Sequence, residues 1–424
     1  MAIALGRRPG EASTINAAPL KILMVSEDVP QPNPGGLARH AVVLSNALTR
    51  AGHEVVFLGT DAYLLEHPAQ DTRLECSFRG AISLRRTGWK EQQFGFFNYG
   101  KRWYLARRLA RAIIQHSAGC DVVHYHGHHP DVANFLPGTL NFVQTRHDQG
   151  SDCVTHIRFR RGNVCNAVDA RECARCLRDH PNALQETLSR VSVEAFRRAV
   201  NMAFGRHKTI HVSEMLRRNA RRVLGGAEAY REWVIHNFVD LQALREAIPA
   251  EDPREEGFLV VGRLDAAKGI ADFAARWKSA GAGAELPLHV VGDGTERSRI
   301  ESIADGIRVV YHGPLPYVRV AGMVARSRFM VVPSLCEEPC ATTVLESLAL
   351  GKTVLALNRG GTPELRRHAL YENQLRLFDS LEGIVAEAAG MTTHCSPLAP
   401  RAAVSRFRWG VDDAVPAILD VYRA

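Results

Sequence analysis

The chain has 424 residues, 46% hydrophobic and 23% charged, with a formal net charge of +8. That length accommodates two domains with proper cores, and no apolar run reaches the roughly 18 residues of a membrane span. A basic balance suits anionic partners, but there is no nucleic-acid motif and no repeated interleaving of aromatic with basic residues, so nucleic acid is not an expected partner.

The opening stretch, MAIALGRRPGEASTINAAP, has no apolar core behind a basic head and does not read as a secretory signal. Residues 1–19 are expected to form a disordered extension of a cytoplasmic protein, whose nine cysteines are then thiols or metal ligands in preference to disulfides. Residues 20–26, LKILMVS, read as a buried parallel strand. After EDVPQPNPGG a helix over residues 37–51 sets Leu37, Ala41, Leu44 and Leu48 on one face, and EVVFL at 54–58 completes a βαβ unit. Gly35 and Gly36 stand at the turn into that helix, where they serve either a close phosphate or a plain tight turn.

Residues 85–111 are basic and aromatic, and their second half reads as a helix with Trp103, Leu105, Leu109 and Ile113 inward and Lys101, Arg102, Arg107, Arg108 and Arg111 outward. Such a face is a solvated surface or a contact for an anionic membrane. DVVHYHGHH at 121–129 is a strand running into histidines; with no carboxylate in ligand spacing these read as structural or as site lining in preference to a metal centre. The next strand, NFVQTRHDQG, ends in His147 and Asp148 at its C-terminal edge, where open α/β sheets place their ligands.

Cys153, Cys165, Cys173 and Cys176 follow as C-x11-C-x7-C-x2-C, with His156 and His180 nearby. One pair has zinc-like spacing, so the segment is a structural zinc knuckle or a set of free thiols beside the cleft. A helix over residues 182–203 and strand ends at 210–216 and 233–240 come next, and the polar stretch LQALREAIPAEDPREEG reads as a linker.

A second βαβ series starts with FLVVGRLDAAKG. Arg263 at the strand end and Lys268 at the next helix start are two cations where a leaving diphosphate needs them, because charge accumulates on it as its bond breaks. In LHVVGDG and VVYHGPL, Gly292 and Gly313 allow close backbone approach to a nucleotide; a lone GDG is not a dinucleotide fingerprint. Then comes PSLCEEPCATTVLESLALG, residues 333–351, a loop between the strand FMVV and a helix. The unpaired amides around Ala341, Thr342 and Thr343 suit a diphosphate, Glu338 would stand beside its cargo, and Glu346 would accept hydrogen bonds from ribose hydroxyls. The structural alternative is a capping box of Thr343 and Glu346, with Glu338 a solvated loop residue.

The E-x7-E spacing between a strand ending in PS and a helix ending in LALG resembles the retaining glycosyltransferases of family 4, which have the GT-B fold. PxxGGxxRH, residues 32–40, is similar to their first donor-facing loop, and His147 to their strand-end histidine. Cys340 and Ala341 stand where the family more usually has an aromatic residue and glycine. The resemblance implies an α/β chain of two Rossmann-like domains facing across a cleft: an acceptor-side domain (20–245, with a cysteine-rich insertion at 150–180), a linker (246–257), a nucleotide-sugar domain (258–403) and a C-terminal helix (404–424) crossing back to the first.

It implies retaining transfer of a sugar from a nucleotide diphosphate sugar to a saccharide or lipid-linked acceptor in polysaccharide or glycolipid assembly; the basic face of residues 85–111 would then allow peripheral contact with an anionic inner membrane face. Glu338 and His147 would be catalytic, and Arg263, Lys268, Thr342, Thr343, Glu346, Gly36, Gly292 and Leu315 would bind the donor. No D-x-D is present, so the expected chemistry uses no cofactor, and zinc, if bound, is structural. Two alternatives share the layout: a sugar-nucleotide epimerase and a non-catalytic sensor of a nucleotide sugar.

Overall fold

The computed structural model describes residues 18–29, 35–61, 74–83, 96–176, 181–225, 229–249, 256–283, 286–391 and 398–424. Most of the N-terminal extension, the Pro-rich part of the first glycine loop, the start of the basic segment, His180 and residues 250–255 of the linker lie outside them.

The first half runs β1 (Lys21–Val25), α1 (Gly36–Arg50), β2 (Glu54–Thr60), β3 (Ser77–Ile82), α2 (Tyr99–His116), β4 (Val122–His126) and β5 (Phe142–Arg146). The cysteine-rich insertion holds β6 (Phe159–Arg160), β7 (Asn163–Val164) and α3 (Ala170–Cys176), and the half closes with α4 (Ala183–Arg206), β8 (Lys208–His211), α5 (Glu214–Leu224) and β9 (Arg231–Val234). Seven strands form one sheet in the order β3-β2-β1-β4-β5-β8-β9, all parallel. A parallel sheet is covered on both faces, which is why β1, β4 and β5 are buried almost throughout.

After α6 (Leu241–Ala247) the pattern repeats: β10 (Glu256–Val261), α7 (Ile270–Ser279), β11 (Leu288–Val291), α8 (Arg297–Ile303), β12 (Val309–Tyr311), α9 (Tyr317–Arg326), β13 (Ser327–Val332), α10 (Thr342–Ala349), β14 (Thr353–Leu357), β15 (Leu375–Phe378) and α11 (Leu381–Ala389). Its six parallel strands are ordered β12-β11-β10-β13-β14-β15. Each sheet reverses its strand order beside its first strand, and α/β sheets bind ligands outside the strand ends at that reversal. The chain ends in α12 (Pro400–Arg406) and α13 (Val411–Arg423).

The expected return of the C-terminus occurs through α13. Val411, Val415, Ile418 and Val421 share a core with β1 and α1 of the first sheet. Tyr422 reaches His124 with its hydroxyl, 2.7 Å from Nδ1, and the Trp409 indole donates to Asn237 O at 2.9 Å.

Two local expectations are corrected. The supposed linker begins with a helix, α6, because Asp240 caps it and Leu244 is buried in a core that also holds Ala321, Val324 and Ala325 of α9. Arg102 turns inward and is only 4% exposed, because its guanidinium finds His156 Nε2 at 2.9 Å and the rings of Phe97 and Phe196, while Trp103 is 39% exposed. Among the described residues no helix is long and apolar enough to cross a membrane.

Candidate active site

The strand ends of the two sheets face each other across a cleft with two adjoining cavities of about 1070 and 800 Å³. Gly36, Arg263, Thr342 and Thr343 line both. Lys268, Glu338 and His147 line the larger, and Glu346, Gly292 and Leu315 the smaller. The fold thus brings the ten expected catalytic and donor-binding residues to one place.

The centre is built by four loops of the second domain, those after β10, β11, β13 and β14. After β10, Asp265 caps a tight turn by accepting from the Lys268 amide at 3.1 Å, which aims Lys268 across the cleft floor. Its ammonium pairs with Glu338 Oε1, and Ser334 Oγ donates to the same oxygen at 2.6 Å. Beneath the Glu338 loop lies Gly360 at φ +61; a Cβ there would stand 2.6 Å from the Glu338 carbonyl oxygen, so only glycine permits this turn. Gly292, at φ +147, is as constrained: its Cβ would meet Gly262 O at 1.8 Å. Arg263 pairs loosely with Asp265 at 3.3 Å, and its side chain is 70% exposed, free to follow a ligand.

Burial alone would raise Glu338, but Lys268 and Ser334 outweigh it and hold the carboxyl below its ordinary range. Burial alone would lower Lys268, and Glu338 reverses the sign. The pair is therefore ionised at neutral pH. Helix α10 starts at Thr342 with no side-chain cap, so the capping-box alternative is not formed and the helix start opens on both cavities. Nor is Glu338 a solvated loop residue, being 9% exposed.

Glu346 lies on the buried side of α10, where burial raises its carboxyl and Arg39 opposes the rise. Arg39, from α1 of the other domain, approaches Glu346 to 3.4 Å and lies over the Tyr317 ring. Neither Arg39 nor Tyr317 emerged from the sequence as a site residue, although the GGxxRH spelling places Arg39 one turn into the helix behind the glycine pair.

On the acceptor side, His147 Nε2 is 3.0 Å from His126 Nδ1, and the His40 ring lies 4.6 Å from that of His147. Burial lowers all three, His40 to about 3, so they are neutral imidazoles. His128 is the opposite case: burial would lower it, but Asp148 and Asp28, at 3.2 and 2.9 Å, raise it to about 11. The expected lack of a carboxylate near these histidines is thereby corrected, since Asp148 arrives from the neighbouring strand and also meets His156 Nδ1 at 3.0 Å. Ligand atoms of His128, Asp148 and His156 come within 4.8 Å of one another, as do those of His40, His126 and His147.

Contacts cross the cleft. Asn219 of α5 donates to Glu337 Oε2 at 3.0 Å, and Glu364 accepts from the Glu214 and Met215 amides at 2.8 Å each. The four cysteines sit apart from this centre, in the insertion whose Thr155, His156 and Ile157 form part of the larger cavity's wall.

Residues 34–243 match the model of glycosyltransferase family 4, and residues 255–390 that of the glycosyl transferases group 1. The chain belongs to the group 1 glycosyltransferases. It is an enzyme of that class with the GT-B fold. Glycogen synthase of Mycobacterium tuberculosis (strain CDC 1551 / Oshkosh) is 27% identical over 371 residues, spanning 81% of this chain and 80% of that protein. Among solved structures, sucrose-phosphate synthase from Thermosynechococcus elongatus superposes with a TM-score of 0.62 at 18% identity, covering 95% of this chain and 98% of its own. The catalytic domain of starch synthase IV from Arabidopsis thaliana, bound to ADP and acarbose, gives 0.65 at 13% identity, covering 96% and 99%. These likenesses establish the fold; the family models establish the class.

Proposed function

We propose that this glycosyltransferase moves a sugar from a nucleoside diphosphate sugar to a hydroxyl of a saccharide or lipid-linked acceptor, with retention of configuration and without a catalytic metal. The observation that carries the reading is the convergence of Arg263, Lys268 and the uncapped start of α10 beside Glu338. As the bond between the anomeric carbon and the diphosphate breaks, its electron pair passes to the diphosphate oxygen. The two cations and the helix amides stabilise that charge, while the acceptor oxygen forms the new bond on the same face of the sugar and passes its proton to the departing diphosphate oxygen. Glu338 accepts from the sugar hydroxyls, Glu346 from the ribose once Arg39 releases it, and neutral His147 lines the reacting face. Starch synthase IV is a neighbour of the same fold with ADP bound.

A donor screen by thermal shift, with UDP, GDP, ADP, CMP and their common sugars, tests this. One nucleoside diphosphate is expected to stabilise the protein, by about 2.7 kcal/mol at a hundred times its Kd, equally with and without EDTA. No shift with any of them, or a shift abolished by chelator, would remove the reading. Adding oligosaccharide acceptors should then release the free nucleotide.

We propose in addition that the acceptor-side domain touches an anionic bilayer. Helix α2 exposes Trp103 and Tyr104, with Arg107 and Arg108 over their rings, and α4 exposes Leu184, Leu188, Val191 and Met202. Each basic residue at such a surface contributes about 1 kcal/mol. The protein is expected to float with anionic vesicles at low salt and not with neutral ones; equal behaviour toward both would exclude the contact.

A further inference from the structure

The insertion between β5 and α4 has little of its own to hold it together. Strands β6 and β7 pair over two residues each, Phe159 with Val164 and Arg160 with Asn163, too short for independent stability. Helix α3 buries only Ala170 and Ala174. His156, Arg158 and Arg161 all have positive φ, +65, +44 and +51, which non-glycine residues keep only where their surroundings impose it. What apolar anchoring it has comes from outside, Val154 and Ala170 sharing a core with Phe97, Val193 and Phe196, and a disulfide or a metal is the usual staple for so small a unit.

The hydrogen bonds that do exist draw together the backbone on which the cysteines are strung. Arg158, 2% exposed, donates to Asp152 Oδ2 at 2.6 Å, next to Cys153, and to the Cys165 and Ala167 carbonyls at 3.1 Å each. Arg160 donates to Arg175 O at 3.2 Å, next to Cys176. Cys173 and Cys176, three apart on α3, share a helix face. All four cysteines are unpaired and half-buried. Arg197 of α4 donates to Cys173 Sγ at 3.0 Å, the outer-shell bond that suits a ligating thiolate.

We propose that Cys153, Cys165, Cys173 and Cys176 bind one structural Zn²⁺ as four thiolates, a knuckle that fixes the wall of the acceptor side. Zinc with four thiolates carries net negative charge, which Arg158, Arg160 and Arg197 surround. Among the described residues no three of the sulfurs fall within 4.8 Å of one another, so the ion draws them inward by side-chain rotation as the thiol protons leave. The ordered knuckle presents Thr155, His156 and Ile157 to the larger cavity, and Asn163 and Val164 to a pocket shared with Glu337 and Arg359 of the second domain.

The test uses tag-free full-length protein and elemental analysis after exhaustive dialysis. The expected result is about one zinc per chain with sulfur ligands at about 2.3 Å by X-ray absorption at the zinc edge. C176S and the double variant C173S/C176S should lose that zinc while circular dichroism confirms their folding. If the variants prove insoluble, the wild-type stoichiometry and ligand distances still decide. Metal-free wild-type protein, or variants that retain a full zinc, would overturn the proposal. Neither readout uses a donor sugar, so failure here leaves the transfer reading standing, and failure of that reading leaves this one.

Discussion

Glu338→Gln is expected to lower transfer by at least about a hundredfold, the scale of losing a well-oriented contact at a reacting centre, with the main loss in kcat. The substitution keeps the size of a buried side chain and removes its charge. Two functions go together. The sugar loses a charged acceptor for its hydroxyls, and Lys268 loses the partner that holds its pKa up against burial. Removing one member of a buried pair costs up to about 3–5 kcal/mol; here both side chains retain some solvent contact, 22% and 12%, so the stability cost should fall below that range.

The pH dependence separates the two functions. Glu338 has a folded-state pKa below its unfolded value, so its contribution is present above the ordinary carboxylate range and disappears as pH falls through the depressed value. Lys268 is raised, so its contribution is present below the ordinary lysine value and is lost as pH rises through the raised one. Between these limits the stability difference between wild type and variant should be flat, and in acid it should shrink. Chemical denaturation across pH measures this, and initial rates measure transfer. Wild-type turnover in a folded Glu338→Gln protein would show that the carboxylate has no part in the reaction.

The parts of the fold legible in the sequence were those where one physical cause dominates. Buried parallel strands must be apolar throughout, so runs such as LKILMVS and FMVV announced β1 and β13, and the residues just past them announced the cleft. What stayed hidden depended on partners far away in the chain. Arg102 looked like one more outward cation on an amphipathic helix; its inward turn required His156, 54 residues later, and Phe196. Helix α6 looked like a linker because it is short and polar, and its reason for folding is the apolar side of α9.

The same limit applies within the site. GGxxRH and E-x7-E were each visible, but nothing in either spelling says that Arg39 and Glu346 meet, because they come from different domains and touch only when the cleft is formed. Likewise, HDQG placed Asp148 beside His147, whereas its hydrogen bonds run to His128 and His156 instead. Sequence order located the loops; the charge state of each group followed only from what the opposite loop supplied.

Lys268→Ala is expected to lower kcat by roughly 10²–10³-fold, equivalent to about 2.7–4 kcal/mol, the usual loss when one preorganised donor to a developing charge is removed. The expectation rests on how differently its two cations are held. Lys268 is fixed in advance by the Asp265-capped turn and by Glu338, so it is in place before any donor arrives. Arg263 is exposed and only loosely paired, and must be recruited by the diphosphate. Arg263→Ala should therefore act mainly on donor affinity, seen as a raised KM, whereas Lys268→Ala should act mainly on kcat. Because both would face the same leaving group, the double variant should lose less than the product of the single losses. Initial rates of nucleotide release over a range of donor concentrations distinguish these patterns. Unchanged kcat in Lys268→Ala would place the leaving group elsewhere; equal kcat losses in both single variants would mean that the cleft closes and clamps Arg263 before the bond breaks.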